Sequence, residues 1–206
     1  MTARVVPDGR EGRAEAIRVL RAGGIVAIPT DTVYGVGVAL DAHDGLARLF
    51  AAKDRPLDKA IVLLVGDVDQ AASTGVLTPA ARALADRFWP GGLTLVLAQL
   101  PGARLPAVLT AGQSTIGVRL PDHACPRELA DALGPLPVTS ANLSGSPAAT
   151  TAEEVVAQLG TRIDLILDGG PARGGVPSTV VDCSGESPRV LRAGAIGETE
   201  IASAIG

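Results

Sequence analysis

Six of the 18 lysines and arginines are placed where they could do chemistry: Lys53, Arg55, Lys59, Arg119, Arg173 and Arg192. They accompany short polar residues that follow apolar runs: Thr30, Asp31 and Thr32 after residues 25–28, and Thr139, Ser140 and Asn142 after residues 136–138. A guanidinium offers a planar fork to phosphate or carboxylate, and an ammonium a compact charge. Hydroxyls and amides both donate and accept hydrogen bonds. That inventory suits an anionic, phosphate-bearing substrate, with catalysis by positioning and charge neutralisation. The spacing of Lys53, Arg55 and Lys59 also fits an ordinary helix C-terminus followed by a solvated loop.

Other chemistries lack their marks. No GxxxxGK[ST] loop and no GxGxxG after a strand occurs, so the usual phosphate cradles are missing. With His43 and His123 as the only histidines, a Ser or Cys triad has little support. Cys125 and Cys183 stand far apart with no CxxC, which reads as two buried thiols in a reducing compartment, not a disulfide or zinc site. The net charge of −4 provides no global field for nucleic acid, and aromatics at 2% leave few bases a stacking platform. No apolar run reaches membrane-spanning length and the N-terminus lacks a signal-peptide apolar region, so a cytoplasmic location is expected.

The elements that must position these groups alternate between strand and helix. A hydrophobic content of 47% in 206 residues supplies one core. Residues 9–22 carry Ala16, Ile17 and Leu20 at helical spacing. Residues 25–28 read as a buried strand stopped by Pro29, followed by Tyr34 and by glycines at alternate positions, either a ligand-facing loop or a plain turn. Asp41 or Asp44 can cap a helix bearing Leu46, Leu49 and Phe50, ended by Pro56. A strand at 60–65, a helix opened by Thr78-Pro79, Trp89 as a core anchor and a strand at 93–97 follow. Residues 99–113 form a loop, either lid or connector. In the strand at 114–121, Thr115, Gly117 and Arg119 share the face opposite Ile116, Val118 and Leu120, which makes that face solvated surface or pocket wall. A helix at 126–133, a strand at 136–138, a capping box at Thr151 and Glu154, strands at 163–167, 178–182 and 189–194, and a terminal helix at 195–206 complete the reading.

The segments Pro29-Thr30-Asp31-Thr32-Val33-Tyr34-Gly35-Val36-Gly37, Lys53-Asp54-Arg55-Pro56-Leu57-Asp58-Lys59, 114–121 and Thr139-Ser140-Ala141-Asn142 together resemble the YrdC/Sua5 family, the threonylcarbamoyl-AMP synthases. The resemblance spans residues 23–192. It implies an α/β fold with a twisted mixed sheet, flanking helices and a concave ligand site (YrdC-like, or DHBP synthase-like). The chain then reads as one domain, 1–206, with core 10–194 and a short tail, similar to members without the extra C-terminal domain. The implied reaction joins L-threonine, bicarbonate or CO2, and ATP with Mg2+ into threonylcarbamoyl-adenylate and pyrophosphate. The product passes to the tRNA threonylcarbamoyl transferase complex, for threonylcarbamoyladenosine in tRNA.

By motif, Lys53 and Arg55 are the implied catalytic pair. Lys53, Arg55, Lys59, Thr115, Ser140, Ala141, Asn142 and Arg192 are the implied ATP contacts. Thr32, Tyr34, Arg119, Thr139 and Ser178 are the implied threonine contacts, with Arg119 on the carboxylate, and no protein-ligated metal is implied. Leu64 departs from the pattern, since many members have His there. Replacing Lys53 or Arg55 by Ala is expected to abolish most turnover and leave the fold intact. Two alternatives stay open: a module binding double-stranded RNA or tRNA, which the net charge argues against, and a carbamoyl-adenylate enzyme with another acceptor.

Overall fold

The computed structural model describes residues 2–103 and 105–205. In chain order these form β1 (Arg4–Pro7), α1 (Arg10–Arg21), β2 (Val26–Ile28), β3 (Gly35–Gly37), α2 (Gly45–Ala52), β4 (Val62–Leu64), α3 (Val68–Ala72), α4 (Pro79–Phe88) and β5 (Leu93–Ala98). There follow α5 (Ala107–Thr110), β6 (Thr115–Arg119), α6 (Ala124–Leu133), β7 (Leu136–Ser140), α7 (Ala152–Leu159), β8 (Leu165–Asp168), β9 (Thr179–Asp182), β10 (Arg189–Arg192) and α8 (Glu198–Ser203). All of these strands join one mixed sheet in the order β1-β8-β2-β3-β7-β4-β6-β5-β9-β10. The pairs β1–β8, β2–β8, β4–β6 and β5–β9 are parallel, and the remaining neighbours run antiparallel. This is the mixed α/β architecture that the resemblance implies. Among the described residues, no helix is long and apolar enough to cross a membrane.

Side chains alternate between the two faces along each strand. Ala27, Leu63, Leu93, Leu95, Leu97, Ile116 and Val118 join the large core with Leu49, Leu84 and Val155 from the helices on that side. Val26, Ile28, Leu64, Leu136 and Val138 point the other way, toward Ala16 and Leu20 of α1 and Leu129 of α6. These two helices pack on each other and on β2, β4, β7 and β8. The ligand cavity opens on this face where β5 and β6 present Thr94 and Arg119.

The local signals for several elements act as read. β2 ends at Ile28, directly before Pro29. Thr78 caps α4 by accepting the Ala81 N–H at 3.2 Å, with Pro79 at the first helical position. Thr78→Ala removes that acceptor and should cost about 1 kcal/mol, read as a melting temperature ~2–4 °C lower with unchanged catalysis. Trp89 is a core anchor whose Nε1 donates to the Leu93 carbonyl at 2.7 Å. Cys125 and Cys183 are free and buried.

Other readings need correction. The alternating glycines do not form a turn but β3, because a Cβ on Gly35 or Gly37 would come within 2.5 Å and 2.8 Å of the Val138 methyls. Asp44 precedes α2 at a φ of 56° and its side chain makes no capping bond. The loop at 99–113 contains α5, and Arg104 within it lies outside the described residues. Glu154 reaches back to the Thr150 N–H at 2.6 Å, not to the Thr151 cap itself. The terminal helix is only α8, and Gly206, the end of the expected helix, lies outside the described residues.

Candidate active site

The cavity has a volume of about 230 Å³. The corner between β2 and β3 contributes Thr30, Thr32, Val33, Tyr34 and Gly35, and the chain leading into β4 contributes Arg55, Ala60 and Ile61. Val62 and Leu64 of β4, Thr94 of β5, Arg119 of β6, and Val138, Thr139 and Ser140 of β7 form the floor and sides. Pro177, Ser178 and Arg192 close it from the β9–β10 side. Segments more than 150 residues apart in the chain therefore meet in one hollow.

Arg119 is 6% exposed and dominates one end. Its Nε donates to the Gly91 carbonyl at 2.9 Å, one Nη to the Thr32 hydroxyl at 2.7 Å, and the other Nη to Asp31 Oδ1 at 2.6 Å. Burial pushes the Arg119 pKa down while the Asp31 carboxylate pulls it back up. A guanidinium has five N–H groups, so two remain for a ligand. The β2–β3 corner is itself held in place. Gly174 N–H donates to the Asp31 carbonyl at 3.0 Å, Gly175 N–H to the Thr32 carbonyl at 2.8 Å, and Thr30 Oγ1 lies 3.1 Å from Thr32 Oγ1.

Arg55 and Arg192 are placed differently. Arg55 donates to the carbonyls of Lys59 at 3.1 Å and Ala60 at 2.6 Å, and stacks on Phe50 with its guanidinium carbon 5.8 Å from the ring centre. Arg192 donates to the Ser178 carbonyl at 2.7 Å and 3.2 Å. Neither forms an ion pair among the described residues. Burial lowers the pKa of each, opposed for Arg55 by the charge of Asp58. The cavity thus has one cation in an ion pair and two that form none among the described residues, Arg55 feeling Asp58 only at longer range. That is the charge pattern expected of a zwitterion lying beside a polyanion.

Of the residues singled out in the sequence, Thr32, Tyr34, Arg55, Arg119, Thr139, Ser140, Ser178 and Arg192 line this cavity; Lys53, Lys59, Thr115, Ala141 and Asn142 do not. Lys53 is 1% exposed, and its ammonium donates to the carbonyls of Ser140, at 2.5 Å, and Asn142. It supports the wall from behind. Burial, and then the charge of Arg55, push its pKa down to about 7. Ala141 is buried, its N–H on the Tyr34 carbonyl at 2.8 Å. Lys59 is exposed. Thr115 lies at the opposite end of β6 from Arg119, about 13 Å away at the usual rise per residue. Arg173 is exposed and paired with Asp122 at 3.0 Å.

Two lining residues use their polar groups within the protein. Tyr34 donates its hydroxyl to the Gly170 carbonyl at 2.7 Å and accepts the Gly169 N–H at 3.1 Å, and burial raises its pKa to about 12. Thr94, which the sequence reading passed over, pairs with the Ser178 hydroxyl at 2.8 Å. Its signal was available, as a single hydroxyl between Leu93 and Leu95. Asn142 donates to the Leu143 and Ser146 carbonyls, both at 2.8 Å. Its buried Oδ1 finds no donor among the described residues. Among these residues no group of three His, Cys, Asp or Glu side chains could hold a metal ion, so the donor set does not fit a protein-caged Mg2+.

A family model named for Sua5, YciO and YrdC, and described as "Telomere recombination", matches residues 18–194. The chain belongs to this family. A Bacillus subtilis relative named threonylcarbamoyl-AMP synthase is 42% identical over 195 residues, covering 94% of this chain and 56% of the relative. A Mycobacterium tuberculosis relative, named a putative threonylcarbamoyl-AMP synthase, is 38% identical over 202 residues, covering 97% and 92% respectively. The crystal structure of Pyrococcus abyssi Sua5 complexed with L-threonine superposes with a TM-score of 0.92 at 36% identity. It covers 100% of this chain and 61% of that one. The chain therefore spans little more than half of some Sua5/YciO/YrdC relatives and nearly all of others.

Proposed function

We propose that this member of the Sua5/YciO/YrdC family is a threonylcarbamoyl-AMP synthase. It would form threonylcarbamoyl-adenylate and pyrophosphate from L-threonine, bicarbonate or CO2, and ATP. The observation that carries the reading is the charge pattern of one cavity: the Arg119–Asp31 pair at 2.6 Å beside the unpaired guanidiniums of Arg55 and Arg192. The names of the Bacillus and mycobacterial relatives, and the threonine complex of the Pyrococcus protein, support it.

In this reading the two spare N–H groups of Arg119 take the amino-acid carboxylate, with the hydroxyls of Thr32, Thr139 and Ser178 around it. The ammonium gives one proton to solvent, the amine nitrogen bonds to the carbon of CO2 as a C=O electron pair moves onto oxygen, and loss of a second proton from nitrogen to solvent gives the carbamate. A carbamate oxygen then bonds to the α-phosphorus of ATP as the bond to the bridging oxygen breaks and pyrophosphate leaves. No protein nucleophile is needed. Arg55 and Arg192 offset the phosphate charge, and Lys53 acts by fixing the Ser140–Asn142 segment. Thr115, Ala141, Asn142 and Lys59 are ATP contacts only if the nucleotide extends beyond the cavity. Mg2+ would be carried by the triphosphate, consistent with its preference for phosphate oxygens and water over protein cages. A cytoplasmic setting and delivery of the adenylate to the tRNA-modifying transferase complete the proposal.

The test supplies ATP, Mg2+, bicarbonate and L-threonine and follows pyrophosphate with each left out in turn. Release should require all of the organic substrates and bicarbonate. Undiminished release without threonine would refute the proposal.

A further inference from the structure

Thr94 is 1% exposed and stands in β5 between two core leucines, with its side chain on the cavity face. Its hydroxyl has a single side-chain partner among the described residues, Ser178 Oγ at 2.8 Å. Ser178 Oγ also accepts from Arg192 Nη at 3.2 Å, and the Ser178 carbonyl accepts from the same guanidinium.

The two hydroxyls together own two hydrogens, and one is used between them. The second has no acceptor among the described residues. Ser178 is the less enclosed of the two, at 6% exposed. Either hydroxyl could donate in this pair, and the sense that strands no hydrogen at the more enclosed residue has Thr94 donating; with Arg192 donating as well, both lone pairs of Ser178 Oγ are then filled. Its own O–H is then left directed at the cavity.

The geometry points to Thr94 as a positioning residue that makes Ser178 a hydrogen-bond donor toward an oxygen of the bound amino acid. Thr94 is part of the cavity floor, but its hydroxyl is engaged by Ser178 and acts on the ligand through it. It fixes the sense of the Ser178 hydroxyl, and with it the affinity for threonine over ATP-side interactions. This assignment rests on the synthase reading and deepens it.

Thr94→Val keeps the shape and removes the hydroxyl; Thr94→Ser keeps the hydroxyl. KM for L-threonine, KM for ATP, kcat and melting temperature should be measured for both, for Ser178→Ala and for the double variant Thr94→Val/Ser178→Ala. Thr94→Val should raise the threonine KM about 10-fold, the usual scale for an unmade buried hydrogen bond. Its kcat and ATP KM should stay within about 2-fold of wild type, and Thr94→Ser should restore the threonine KM. The double variant should match Ser178→Ala alone, because two groups acting as one unit are not additive.

A threonine KM unchanged in Thr94→Val, or a double variant showing the product of both single effects, overturns the assignment. So does an ATP KM that rises in parallel, which places the effect on Arg192 or on packing and not on the Ser178 hydroxyl. Wild-type protein with no threonine-dependent pyrophosphate release refutes the synthase reading instead, so the two failures are told apart.

Discussion

Arg119→Ala lowers kcat/KM for L-threonine by about 1,000-fold and the melting temperature by roughly 10 °C. The first figure follows from losing the proposed charge-assisted, two-pronged contact to the threonine carboxylate. The second follows from leaving Asp31 buried without its 2.6 Å partner. Breaking such a pair from one side costs about 3–5 kcal/mol, and each kcal/mol moves the midpoint of a chain of this size by ~2–4 °C. Arg119→Lys separates the two effects. An ammonium retains the charge near Asp31 but cannot also reach the Gly91 carbonyl, the Thr32 hydroxyl and a ligand carboxylate. Stability should recover most of the way while the threonine KM stays at least ~10-fold high. Full catalytic recovery in Arg119→Lys would show that fork geometry is irrelevant to this site.

Lys53→Met is the second large effect, and it differs from the outcome read from the sequence. The ammonium holds the Ser140 and Asn142 carbonyls, and the Lys53 carbonyl accepts the Ser144 N–H at 3.0 Å. Loss of the ammonium strands the buried Asn142 carbonyl, at about 1–3 kcal/mol, and leaves the Ser140 carbonyl with the Asn142 N–H alone, at 3.0 Å. The variant should lose both stability and turnover, the latter because Ser140 forms part of the cavity wall. A pH signature accompanies this. The folded-state pKa near 7 lies below the ordinary 10.5, so between these values the unfolded chain binds more protons than the native one. Stability from this group must then rise with pH across that window and be least below pH 7. Denaturant midpoints compared from pH 6 to 10 should show wild type gaining on Lys53→Met as pH increases. Parallel profiles would mean that Lys53 titrates normally.

The legible parts of this chain are those where one residue type dictates a local event. Pro29 ends β2, Thr78 and Pro79 open α4, and Ile116, Val118 and Leu120 face the core opposite Arg119. Some short elements escaped because they hold too few residues for a period to register and lack the apolar run that marks the equally short β2, β4 and β8. β1 is an edge strand of four residues with Val5 exposed, and α3 and α5 have five and four residues. β3 escaped for another reason: its glycines are required by the nearness of Val138 on β7, a contact between distant segments. Among site residues, type and spacing announced Arg55 and Arg119, and the family resemblance added Ser178. The pattern could not tell that the Lys53 side chain turns away from the cavity to the backbone of β7, since type and spacing do not fix the direction of a flexible side chain. Leu64 does line the cavity, where it supplies apolar wall.

The most direct measurement of the central claim supplies carbon-13 bicarbonate with ATP, Mg2+ and L-threonine and identifies the nucleotide product by mass spectrometry. The account predicts threonylcarbamoyl-adenylate heavier by one unit than the product made from ordinary bicarbonate, with pyrophosphate in equal amount. An unlabelled threonyl-adenylate, or AMP formed without any labelled adenylate, would contradict it.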